Sequence, residues 1–161
     1  MLCIKNSDRK IYNMNIVRGS IFLNKDMLYD DGTSKSKFLV LLNTPQGNDT
    51  ALFVQATSQK KSKPDKSGCL THNNESLFAI KANKTFFNKD TWIELNKIYE
   101  AEISFIQQII YKSQLKEKII DDIVNCLLRL EGHEMDIAFT NLLKPPLQQS
   151  LEQLQQLFNR R

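Results

Sequence analysis

Lys37, Thr57 and Ser58 are the residues whose types and spacing point most directly to chemistry. Lys37 precedes the apolar run Phe38-Leu39-Val40-Leu41-Leu42, which has the length of a strand. Thr44 to Thr50 (TPQGNDT) is dense in turn formers, and Ala51-Leu52-Phe53-Val54 resumes the apolar pattern. Folding the two runs back about Gly47 sets Lys37 opposite Thr57, with Lys35 and Ser58 beside them. A cation and two hydroxyls at the open end of a rigid hairpin can hold a phosphate. The plainer alternative is that Thr57 and Ser58 end a strand by satisfying backbone groups, and that Lys37 keeps an edge soluble.

The segment after this pair strengthens the anion reading. Lys60, Lys61, Lys63 and Lys66 follow within one polar loop, where they would raise the local concentration of a polyanion and add salt-dependent affinity. The net charge is +4, and it is uneven: residues 55–97 hold eight basic and four acidic side chains, residues 98–161 seven and nine. Other chemistries are poorly supplied. Cys69 and His72 have ligand spacing but no second pair to complete a zinc site. Cys126 and His133 fall in a helix and at its end, and His133, Glu134 and Asp136 read as a cap and first turn. No metal or cofactor is expected. Trp92 and the Phe86/Phe87 pair could stack on bases, although aromatic side chains on short strands more often belong to a core. Because Trp92 alternates with Ile93, one of those two is expected to be exposed or at an interface.

The elements that must position these residues change character along the chain. Arg18-Gly19-Ser20 between apolar pairs suggests a strand with a glycine bend, and Asp30-Asp31-Gly32 a turn. Lys60 to Ser76 reads as a long exposed loop. Three short strands are expected at 77–80, 84–87 and 91–95, and many short strands separated by turns favour a small barrel or sandwich. From about Tyr99 the spacing turns helical, through Ile106, Ile109, Ile110, Ser113 and Leu115, then more clearly from Ile119 to Leu130. A short helix within 134–143 is stopped by Pro145-Pro146, and Leu147, Leu151, Leu154 and Phe158 stripe a last amphipathic helix. That stripe suits packing on the sheet or a partner chain. Three widely spaced cysteines suggest reduced thiols and a cytoplasmic protein. The apolar runs are too short to span a bilayer, and the first residues do not resemble a signal peptide.

The order of elements from Val17 to Leu95 resembles the PemK/MazF family of toxin endoribonucleases. The matching pieces are the glycine-containing strand Arg18-Gly19-Ser20-Ile21, the basic residue Lys37 before Phe38 to Asn43, the strand end Ala56-Thr57-Ser58, and the pattern Phe87, Thr91, Ile93, Leu95. The resemblance implies a compact SH3-like barrel, a homodimer with an RNA groove, and metal-independent cleavage of single-stranded RNA by the ribose 2′-hydroxyl. It also implies a cognate antitoxin that blocks the groove. Carried onto this chain, Lys37 stands where the family has an arginine, Thr57 or Ser58 where it has a hydroxyl residue, and Arg18 is expected to help bind the strand. Lysine is a point charge on a flexible stem, whereas arginine can hold two phosphate oxygens at once.

Together these readings give an α+β protein: a small antiparallel SH3-like β-barrel in residues 1–104, followed by a C-terminal helical appendage in residues 105–161. The expected catalytic residues are Lys37, Thr57 and Ser58, with Arg18, Lys35, Lys60, Lys61, Lys63 and Lys66 binding RNA. The alternatives are a noncatalytic nucleic-acid-binding module, or an interaction protein that recruits a partner through its helical tail.

Overall fold

In the computed structural model the described residues are 16–59, 62–144, 151, 155, 156, 158 and 159. The expected hairpin is present: β2 (Ser34–Leu41) and β3 (Ala51–Thr57) pair antiparallel, with Phe38 opposite Ala56 and Val40 opposite Val54. The same register carries Lys37 to the position facing Thr57. Gly47 bends the connection with φ +58°, and Asn43 closes it, its amide donating to the Thr50 carbonyl and its Oδ1 accepting from Leu52 N–H.

The hairpin lies inside a larger sheet. β1 (Ser20–Leu28) pairs with β2, and β3 pairs with the long β6 (Thr91–Ala101). β5 (Glu75–Ile80) lies beyond β6, and β4 (Gly68–His72) beyond β5. β7 (Ile110–Gln114) adds to the free side of β1. All pairs are antiparallel, in the order β4-β5-β6-β3-β2-β1-β7. The sheet is open, with β4 and β7 as its edges, and so departs from the closed SH3-like barrel that the resemblance implies.

A helix covers what a closed barrel would wrap. α2 (Glu117–Glu131) sets Ile120, Ile123, Val124 and Leu127 against Ile21, Val40, Val54 and Ile93, and Leu143 of α3 (Ile137–Leu143) joins the same cluster. The opposite face carries two smaller apolar groups. Phe22, Leu39, Leu41 and Phe53 pack with Ile106 of α1 (Ile103–Ile106) and with Ile109, and Trp92 packs with Leu77 and Ala79. Central strands buried on both faces read as unbroken apolar runs, which accounts for Phe38 to Leu42. Burying roughly one such Leu or Ile contributes about 2 kcal/mol.

Several expectations are corrected. Residues 105–161 are not a purely helical appendage: Ile110–Gln114 is a strand of the sheet, and α2 completes the main core. The helical spacing from Ile106 to Leu115 is accidental, because α1 stops at Ile106 and β7 follows. The long loop of 60–76 contains β4, turned back on β5 by Asn73-Asn74, both with positive φ as a tight hairpin turn requires. Lys84 to Phe87 is a turn, not a strand, closed by Asn83 N–H donating to the Phe87 carbonyl. Trp92 and Ile93 are both buried, since each sheet face is covered there. The helix expected from Leu147 to Phe158 falls largely outside the described residues, although Leu151 and Phe158 are described and exposed.

The cysteines are corrected as well. Cys69 on β4 and Cys126 on α2 form a disulfide across 57 residues of sequence, with Cα atoms 5.5 Å apart. Sequence spacing could not show this pair, because the hairpin that places Cys69 was itself read as loop. No helix among the described residues is long and apolar enough to cross a membrane.

Candidate functional site

One end of the β2–β3 pair opens into a cavity of about 270 Å3. Lys35, Ser36, Lys37 and Phe38 line it from β2, and Ala56, Thr57, Ser58 and Gln59 from the end of β3. The turn before β6 supplies Phe87, Asn88 and Lys89, and β6 begins with Thr91 on the wall. The lining residues thus include three lysines, four hydroxyl residues and no acid, with Lys35, Lys37 and Thr57 on one face of the strands and Ser36, Phe38 and Ala56 on the other. Phe38, Phe87 and Ala56 give it an apolar floor, where charged groups are screened less than in bulk water.

Each side chain is fixed by the register. Thr57 pairs across to Trp92 and is buried, and its Oγ1 accepts from Gln59 N–H at 3.4 Å. Ser58 is exposed just beyond the strand. Thr91 is buried and its hydroxyl donates to the Lys89 carbonyl, which fixes the backbone of the turn. Asp90, between those two, is turned away: its carboxylate accepts from Ala82 N–H at 2.9 Å and pairs with Lys81 at 3.3 Å. Lys37 and Lys89 form no ion pair with a described residue.

Of the residues expected from sequence, Lys35, Lys37, Thr57 and Ser58 come together here. Arg18 does not. Its side chain is 5% exposed, and its NH2 donates to Asp121 Oδ1 at 2.7 Å, so it fastens α2 to the start of β1. The expectation that it binds a strand is corrected on that ground: a buried guanidinium already held by a carboxylate presents nothing to a phosphate. Lys63 is corrected likewise. Its side chain is 9% exposed and pairs with Glu75 at 2.7 Å and Glu94 at 3.8 Å, pinning the loop after Ser58 across the sheet. Lys66 is exposed on that loop, while Lys60 and Lys61 lie outside the described residues.

Lys89 and Thr91 were missed by sequence reasoning. Both follow the aromatic pair Phe86-Phe87, and the turn at Asn83 that folds this segment back has no signal stronger than one Asn at φ +61°.

Next to the cavity, on the sheet face that carries Lys37 and Thr57, lies a polar strip. Gln55 is buried; its amide donates to Glu94 at 3.2 Å, and its Oε1 accepts from the Tyr29 and Tyr99 hydroxyls at 3.4 and 3.3 Å. Desolvation by burial is the main cause that raises both tyrosines above their ordinary pKa, with the Glu94 charge adding to it. Both hydroxyls therefore stay protonated donors at neutral pH. Among the described residues no group of three or more His, Cys, Asp or Glu is placed to hold a metal ion.

What the cavity can do follows from its inventory: ammonium groups that attract an anion, hydroxyls that donate to its oxygens, and no carboxylate to repel it. No family model matches this chain, and no curated protein matches it in sequence.

Proposed function

We propose that the cavity binds a backbone phosphate of single-stranded RNA and that the chain is a metal-independent endoribonuclease, the toxin of a toxin–antitoxin pair. The observation that carries this reading is the convergence of Lys35 and Lys37 with Thr57 and Ser58 in one acid-free cavity. The resemblance to the PemK/MazF family supplies the reaction. The ribose 2′-hydroxyl gives its proton to water and attacks the neighbouring phosphorus, the bond to the 5′ oxygen breaks, that oxygen takes a proton from water and leaves as a 5′-hydroxyl, and a 2′,3′-cyclic phosphate forms. Lys37 stabilises the charge on the pentacoordinate phosphorus, an effect of roughly 3 kcal/mol where a single donor has been removed from comparable sites. Thr57 and Ser58 donate to the phosphate oxygens. A homodimer, a cognate antitoxin and a cytoplasmic site of action complete the reading; in a reducing cytoplasm Cys126 would carry a thiol, 3.7 Å from the Leu77 carbonyl it can donate to.

One observation favours a second reading. The cavity contains no histidine or carboxylate to move a proton, and its cations are all lysines, which suits a module that binds nucleic acid without turnover. Purified protein incubated with mixed-sequence single-stranded RNA and EDTA separates the two. Specific cuts ending in 2′,3′-cyclic phosphate, abolished by Lys37→Ala and by Thr57→Ala in folded protein, establish the ribonuclease. Intact RNA bound in a salt-sensitive manner establishes the binding module. Full activity in both variants sinks the assignment of these residues.

A further inference from the structure

Beside the cavity stands an aromatic side chain that the folded core does not require to be outside. Phe38, Phe86 and Phe87 meet edge to face, with ring centroids 5.6 to 5.7 Å apart. Phe38 and Phe87 form the cavity floor, and Phe87 is buried. Phe86 is 42% exposed at the same cluster. The turn that carries it is hydrogen-bonded: Asn83 N–H donates to the Phe87 carbonyl at 2.9 Å, and Phe87 N–H donates to Thr85 Oγ1 at 3.3 Å. Three residues on, Lys89 enters the cavity with no acid paired to it among the described residues.

We infer that Phe86, Asn88 and Lys89 form a nucleotide subsite, in which a base stacks on the Phe86 ring and Lys89 holds that nucleotide's phosphate. This rests on the reading of the cavity as a phosphate site. A bare phosphate gains nothing from an apolar ring, and an apolar partner gains nothing from a lysine. A nucleotide presents both a flat π-face and an anion at a separation of one sugar, and so uses both. Stacking on an aromatic side chain is tolerant of base identity. Asn88, which can donate and accept at once, lies between Phe86 and Lys89 in sequence and can reach a base edge.

The test uses two fluorescent hexanucleotides that cannot be cleaved because every 2′ position is O-methylated: one carrying bases, one abasic throughout. Phe86→Ala is expected to weaken the base-bearing strand by about 5-fold to 100-fold and to leave the abasic strand unchanged. Lys89→Ala is expected to weaken both, and to lower the slope of log affinity against log salt by about 0.7. Phe86→Trp keeps a ring; it should bind as the wild type does, with indole fluorescence quenched by the base-bearing strand alone. The inference is overturned if Phe86→Ala binds the base-bearing strand as tightly as wild type. It is also overturned if wild type does not prefer that strand over the abasic one, as a site for an acidic peptide would not. Cleavage of unmodified RNA is scored separately. Wild-type cleavage with an indifferent Phe86→Ala leaves the ribonuclease reading standing and removes the subsite, while base-dependent binding without cleavage does the reverse.

Discussion

Arg18 and Asp121 form an unequal pair, and the inequality decides what a substitution there does. The Arg18 side chain is 5% exposed, whereas Asp121 is 43% exposed and Glu117, 3.6 Å from Nε, is 62% exposed. Removing the arginine returns two carboxylates to water they already touch. Removing Asp121 takes away the guanidinium's one hydrogen-bonded carboxylate and leaves Glu117, 3.6 Å from Nε, as its remaining ion pair, while Nε and NH1 have no hydrogen-bond partner even now. Asp121→Ala is therefore expected to cost about 3 kcal/mol and Arg18→Met about 1 kcal/mol or less, compared by urea unfolding. Equal losses would mean that packing of the arginine stem, not its charge, holds α2. At this scale the sequence was legible where chemistry depends on register. Lys37 and Thr57 face each other because both strands are continuous and the turn is centred on Gly47. It was illegible where burial decides: nothing in the spelling of Arg18 or Lys63 distinguishes a buried tether from a free cation.

The disulfide ties two elements that the hydrogen-bonded ladder leaves apart. β4 is an edge strand, held on one side by β5 alone, and α2 crosses over it. Closing a loop of 57 residues constrains the unfolded chain by about 4 kcal/mol at most. A reductant should then lower the unfolding free energy of the wild type by about 2–4 kcal/mol and leave Cys69→Ser unchanged. If both respond alike, the reductant acts elsewhere. The cavity should survive reduction, because its walls belong to β2, β3 and the two residues after it, the turn before β6 and the first residue of β6, none of which contains a bridged cysteine. Among the elements, the central strands and α2 were legible from periodicity. The edges were not. β4 and β7 are short and partly exposed, with little alternation, and the helical spacing around Ile109 arose from residues split between a turn and a strand.

For the whole molecule, the expected boundary at residue 104 divides a single core. Ile21, Val40, Val54 and Ile93 lie before it, and Leu115, Ile120, Ile123 and Leu127, which cover them, lie after. A chain ending at residue 104 should lose cooperative unfolding and protection of β3 amides from hydrogen exchange; a sharp transition in the truncated chain would restore the idea of an independent barrel. The open sheet has the same origin. A barrel covers its core by closing, whereas here a helix does the covering and the two edges stay apart. This division of labour has a consequence for the order in which the protein is made. The lysines and hydroxyls of the cavity are translated first, and the helix that stabilises the strands beneath them leaves the ribosome seconds later, at about 5–20 residues per second. Each newly made molecule thus carries the full set of cavity residues before it has the helix that holds the strands beneath them in place.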